Sequence, residues 1–131
     1  MRLNDWLERF MATVELTKDN FNDVMEKNDF VILDFWAPWC GPCKNFGPIF
    51  EKVSENHDDI VFGKINTEDE QELGAYFQIR SIPTLMVLRE KVAIFSQPGM
   101  LPESALEEII SKAKELDMAD VHRQIAEQQE S

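Results

Sequence analysis

Apolar residues follow two rhythms along this chain, a helical one and a continuous one. In residues 1–11, Leu3, Trp6, Leu7, Phe10 and Met11 fall at i, i+3, i+4, i+7 and i+8, which predicts a short amphipathic helix. Residues 12–16 read as a first short strand. Thr17 then stands where a cap belongs, ahead of a helix over 19–26 with Phe21, Val24 and Met25 inward. From Phe30 to Trp36 the chain is apolar except for Asp34, a length that suits a buried strand. Helical spacing returns at Phe46, Ile49, Phe50 and Val53, predicting a helix from Gly41 to about Glu55, with Pro48 as an expected kink.

The second half continues the alternation. Ile60 to Ile65 reads as a third strand, and Thr67 opens an acidic helical stretch over 68–77 with Leu73 and Phe77 as its anchors. Thr84 to Leu88 and Val92 to Phe95 predict a hairpin, although Arg89-Glu90-Lys91-Val92 lacks the glycine that a tight turn prefers. Pro102, with acidic residues after it, starts a helix to about Leu116 that turns Leu106, Ile109, Ile110 and Ala113 inward. Asp117 to Asp120 is a further helix start, followed by Met118, Val121 and Ile125 at helical spacing. This order is that of an α/β protein: a mixed sheet of about five strands, parallel crossovers first and a hairpin last, flanked by helices. We expect a domain over residues 12–116 with helical extensions at 1–11 and 117–131.

Composition narrows the function. With 131 residues, 44% of them hydrophobic, the chain has enough apolar material for one cored domain. A formal net charge of −12 argues against non-specific nucleic-acid binding and for solubility. No stretch reaches the roughly 20 apolar residues of a membrane span, and residues 1–11 lack the apolar core of a signal peptide. The expectation is a cytoplasmic protein, and there a lone pair of cysteines is more often catalytic than structural.

That pair is Cys40 and Cys43, separated by Gly41 and Pro42 at the junction of the buried strand and the following helix. A helix N-terminus offers unpaired N–H groups and partial positive charge, so Cys40 is expected to be acidic for a thiol and nucleophilic near neutral pH. Cys43 lies one turn in, within reach of Cys40. Pro42 suits an early helical position, and Gly41 leaves the approach to Cys40 open. Half of a zinc site is the competing reading. Zinc needs four ligands, no third cysteine exists, and His57 and His122 are remote and read as solvated, so no metal is expected.

Trp39-Cys40-Gly41-Pro42-Cys43-Lys44 after a strand containing an aspartate closely resembles the active site of the thioredoxin family, and the resemblance extends over about residues 12–114. It implies the thioredoxin fold, with helices on both faces of the sheet. Pro83 of Ser81-Ile82-Pro83-Thr84 matches the family's cis proline, which would set the Ile82 backbone beside Cys40 to receive an extended substrate. Asp34 matches a buried carboxyl beneath Cys43, with a pKa raised by desolvation and a proton to exchange; otherwise it marks a polar strand face, but strict alternation is absent. Lys64 matches the lysine that tunes this carboxyl, though alone it would read as a solvated strand-end lysine. By resemblance Trp39 shields the nucleophile and contacts substrates together with Gly41, Pro42, Ile82 and Gly99, the last explained equally well by a plain turn.

The resemblance further implies a reductase of protein disulfides. Cys40 attacks, Cys43 resolves, and a flavin-dependent, NADPH-fed thioredoxin reductase restores the dithiol. No bound cofactor is expected, and no Gly-x-Gly-x-x-Gly is present. A monomer is expected, with dimerisation through the terminal helices as the alternative. Two other readings compete. One is a binding or scaffold module with redox secondary. The other is an oxidase or isomerase of the same fold, disfavoured because Gly-Pro between the cysteines resembles the reducing members.

Overall fold

The apolar run at residues 30–36 becomes the central strand of a five-stranded sheet. The structure is a computed structural model that describes residues 12–130, so the expected helix over 1–11 lies outside the described residues. Its elements are β1 (Thr13–Glu15), α1 (Phe21–Lys27), β2 (Phe30–Trp36), α2 (Gly41–Ser54), β3 (Val61–Asn66), α3 (Gln71–Tyr76), β4 (Thr84–Arg89), β5 (Val92–Pro98), α4 (Glu103–Glu115) and α5 (Met118–Glu130). Spatial order is β1-β3-β2-β4-β5. The first three strands are mutually parallel, β4 runs antiparallel to β2, and β5 pairs antiparallel with β4. Among the described residues no helix is long and apolar enough to cross a membrane.

Burial on both faces explains why β2 is apolar throughout. Ile32 joins Phe46, Phe50 and Val53 of α2, Phe62 of β3, and Leu106 and Ile110 of α4 in one cluster. Val31, Leu33 and Phe35 join Leu16, Ile65, Leu73 and Met86 in the other, against Phe21 and Val24 of α1 and Phe77. Helices thus cover both faces, α2 and α4 on one, α1 and α3 on the other. Asp34 has the parity of Ile32 and so points to the α2 side, paired in register with Lys64 of β3. α2 continues through Pro48 to Ser54.

Several local expectations are corrected. α1 starts at Phe21 with Asn20 as its N-cap residue, because Thr17 is used in the preceding turn: its hydroxyl accepts from the Asp19 N–H, and its own N–H donates to Asn20 Oδ1. The acidic residues 68–70 are not helical. Asn66 Oδ1 accepts the Glu68 N–H at 3.0 Å, Asn66 Nδ2 donates to Asp69, and Glu70 Oε1 takes the Lys18 N–H at 2.6 Å, so side chains compete with the helix and α3 begins only at Gln71. His57 is not solvated. Its side chain is only 13% exposed, stacks on Phe62, and places Nε2 3.0 Å from Glu107 Oε2. His122 is half-exposed and lies 3.4 Å from Glu90.

At the other end, Arg89 donates to the carbonyls of Ala113 and Leu116, satisfying acceptors left open at the end of α4. α5 then buries Met118 and half-buries Val121 and Ile125.

The β4–β5 turn solves the missing-glycine problem by strain. Glu90 and Lys91 both adopt positive φ, 51° and 68°, in a two-residue hairpin loop of the kind that favours Asn-Gly. The Glu90 N–H donates to the Asp29 carbonyl at 2.7 Å and helps hold the turn. Replacing Lys91 by glycine removes a side-chain clash at the cost of an exposed ion pair with Glu26. Lys91→Gly is therefore expected to stabilise the fold by roughly 0.5–1 kcal/mol in urea unfolding, despite the added freedom of the unfolded chain. A lower denaturation midpoint would contradict this account of the turn.

Candidate active site

β2 ends at Trp36, and a four-residue turn delivers Cys40 as the N-cap of α2 with extended backbone (φ −84°, ψ 114°). The Cys40 N–H donates to the Ala37 carbonyl, while its Sγ accepts the Cys43 N–H at 3.2 Å. A sulfur thus fills the role usually taken by a capping oxygen. Gly41 and Pro42 occupy the first helical positions, where the missing N–H of proline leaves no bond unmade. The two sulfurs are joined in a disulfide, with a Cα–Cα separation of 5.2 Å. Both cysteines are almost fully buried, packed with Ala37, Trp36 and Ile82, whereas Gly41 and Pro42 are exposed.

A second loop closes over this turn. The Ile82–Pro83 peptide is cis, and the Ile82 carbonyl oxygen lies 3.8 Å from Cys40 Sγ. Thr84 Oγ1 donates to the Ser81 carbonyl at 2.6 Å, and the Gly99 N–H donates to the Pro83 carbonyl at 2.8 Å. Gly99 has φ +94°, a left-handed backbone that suits glycine, so it is a turn residue bonded directly to the proline loop. Trp39 is 68% exposed beside the buried cysteines. With Ile82, Gly74, Ile79, Arg80 and Thr67 it lines a groove of about 390 Å³ running away from Cys40.

The strand that leads into this turn carries a buried carboxyl. Asp34 is 1% exposed, and neither of its oxygens has a hydrogen-bond partner among the described residues. Burial, which disfavours the charged form, pushes its pKa from 3.8 up to about 7. The Lys64 ammonium opposes that rise, and the Glu51 carboxylate adds to it. Lys64 Nζ is 3.5 Å from Glu51 Oε1 and 5.1 Å from the centre of the Trp36 ring, so the lysine is turned toward α2 rather than out into water. Cys43, Lys44, Gly47, Pro48, Glu51 and Lys64 line one cleft of about 250 Å³.

The structure therefore brings together Cys40, Cys43, Ile82, Pro83 and Trp39 at one surface, with Gly99 tied to Pro83 and Lys64 in the cleft shared with Cys43. Glu51 was not singled out from the sequence. Its signal was the spacing Cys43, Gly47, Glu51, a single stripe of α2 at i, i+4 and i+8. Among the described residues no cluster of three or more His, Cys, Asp or Glu could hold a metal ion.

Comparison with known proteins agrees with this geometry. The thioredoxin family model matches residues 12–112. A Streptomyces coelicolor protein named "Putative thioredoxin 2" is 57% identical over 118 residues, covering 90% of this chain and 88% of that protein. Thioredoxin of Bacillus subtilis is 38% identical over 104 residues, covering 78% of this chain and 98% of its own. Among solved structures, a mutant thioredoxin from Halobacterium salinarum superposes with a TM-score of 0.73 at 30% identity, over 80% of this chain and 93% of the other. Plasmodium falciparum thioredoxin gives 0.71 at 32% identity, over 76% and 98%.

The buried carboxyl makes stability depend on pH with a definite sign. Below pH 3.8 both folded and unfolded chains hold the proton; between 3.8 and about 7 only the folded one does; above that neither does. Stability contributed by this group is thus present at low pH and lost as pH rises toward 7, a change on the order of 4 kcal/mol. Asp34→Asn removes the loss. The variant should exceed the parent in urea midpoint by a margin that widens from pH 4 to pH 7, and a constant offset over that range would contradict the buried acid.

Proposed function

The chain belongs to the thioredoxin family and is a thiol–disulfide oxidoreductase, and on that premise we propose that it works as a reductase of protein disulfides with Cys40 as nucleophile and Cys43 as resolving thiol. One observation supports this order of attack above the others: the Cys43 N–H points at Cys40 Sγ at the start of α2. Negative charge on that sulfur is favoured by the N–H and by the helix terminus. Cys43 is enclosed by its own helix and faces the cleft of Lys64 and Glu51.

In this reading the Cys40 thiolate attacks one sulfur of a substrate disulfide. A Cys40–substrate S–S bond forms, the substrate S–S bond breaks, and the leaving thiolate takes a proton from water. Cys43 then gives its proton to the Asp34 carboxylate and attacks Cys40 Sγ. The Cys40–Cys43 bond forms, the mixed disulfide breaks, and the substrate leaves with two electrons and its second thiol. Lys64 tunes Asp34. The exposed Trp39, Gly41 and Pro42, the backbone of Ile82 beside Pro83, and the Gly99 turn hold the substrate segment against Cys40.

Family members of this kind use no bound cofactor. The dithiol of this chain would be restored by a NADPH-dependent flavoprotein reductase, and a reducing cytoplasm is the compartment that suits a lone, catalytic cysteine pair. We assign the redox unit to residues 12–116 and treat 1–11 and 117–131 as extensions outside the chemistry.

The test is to challenge each serine variant with a disulfide-bonded protein. Cys43→Ser should accumulate a covalent adduct through Cys40, visible on non-reducing gels and released by dithiothreitol. Cys40→Ser should form none, and both should lose turnover with NADPH and a thioredoxin reductase. Adducts through Cys43 in the Cys40→Ser protein, with none in Cys43→Ser, would reverse the two roles.

A further inference from the structure

Asp34 is approached by few charged groups. From β3 it is paired in register with Lys64, whose charge and that of Glu51 on α2 both act on it; from β4 its register partner is the apolar Leu85; Lys44 lies with Lys64 and Glu51 in the neighbouring cleft. A lysine beside a buried carboxyl ordinarily turns in and makes an ion pair with it, fixing the acid as carboxylate. Here neither carboxyl oxygen has a partner among the described residues, and the ammonium is 3.5 Å from the carboxylate of Glu51 instead. Helix geometry arranges this. Cys43, Gly47 and Glu51 form one stripe of α2, and Gly47 has no side chain where the lysine passes: a Cβ there would lie 3.6 Å from Lys64 Nζ. Lys64 Nζ passes this glycine on its way to Glu51, at a distance where even a Cβ would make only ordinary contact.

We propose that Glu51 is a positioning residue for the redox reaction: by holding the Lys64 ammonium toward the cleft mouth, it keeps the lysine from locking the buried Asp34 in its carboxylate form. The proposal rests on Asp34 as the proton acceptor of Cys43. That acid must take a proton when Cys43 resolves the mixed disulfide and surrender it when the dithiol is regenerated. A carboxyl locked by an inward ion pair performs the second transfer easily and the first poorly. Glu51 lets one residue serve both directions.

The experiment follows the Asp34 side-chain carboxyl by carbon-13 NMR against pH in the oxidised full-length protein. Glu51 is partly exposed, so its substitution leaves the core intact. Glu51→Gln should move the Asp34 midpoint toward acid, and Glu51→Asp should move it back toward the parent value. The acid limb of reductase turnover should shift in the same direction as the midpoint. In a Lys64→Gln background the same Glu51→Gln change should produce a clearly smaller shift, because the residue to be positioned is gone. An unchanged midpoint in Glu51→Gln, with Asp34→Asn still abolishing the titration, would overturn the proposal and leave Asp34 as the proton acceptor. An equal shift with and without Lys64 would overturn it too, since Glu51 would then act only through its own field. A parent protein whose Asp34 is fully ionised at pH 5 would make that carboxylate too weak a base for the Cys43 proton, and would overturn the role of Glu51 with it.

Discussion

The contact between the Cys43 backbone N–H and Cys40 Sγ, 3.2 Å long, is the one on which the rest of the molecule converges. It exists only because a buried strand ends at Trp36 and a helix begins at Gly41, with too few residues between them for the sulfur to be anywhere else. The strand must be buried on both faces to fix that end point, and so it needs α2 and α4 on one side and α1 and α3 on the other. The proline loop of β4, bonded to Gly99 after β5, then closes against the same sulfur. Each layer of the fold fixes one wall of a site that contains only two reactive atoms.

Putting that junction over a fully buried strand has an electrostatic consequence. Asp34 lies on the strand face covered by α2, where it is shielded from solvent and no donor among the described residues meets its oxygens. The fold tolerates this by letting the acid hold its proton to about pH 7. Such a destabilising group at the centre of a core suits a proton acceptor, since a well-solvated aspartate is too weak a base to take a thiol's proton near neutral pH. Lys64 and Glu51 set how far the carboxyl is relieved, and both line a cleft separate from the groove lined by Trp39 and Ile82.

Much of this was legible in the sequence because its signals are local. The run Phe30–Trp36 and the spacing of Phe46, Phe50 and Val53 announce strand and helix, and the Cys-Gly-Pro-Cys turn between them announces chemistry. The hairpin was legible as a hairpin, but its left-handed Glu90 and Lys91 were not, because nothing in those residue types asks for positive φ. The start of α3 was misplaced because Asn66 holds the Glu68 N–H and Asp69 in a turn and Glu70 is tied to the Lys18 N–H, 52 residues away, a bond that no local pattern announces. His57 looked solvated because its partner Glu107 is 50 residues distant. Glu51 was missed for a related reason: its partner is Lys64, on another element.

The inequality proposed for the two sulfurs at the helix terminus is read by the reaction of the reduced protein with iodoacetamide as a function of pH. Cys40 should be alkylated first, with a rate midpoint well below the roughly 8.5 of an ordinary thiol, while Cys43 reacts slowly throughout. Equal labelling of both cysteines, with a midpoint near that of a free thiol, would contradict it.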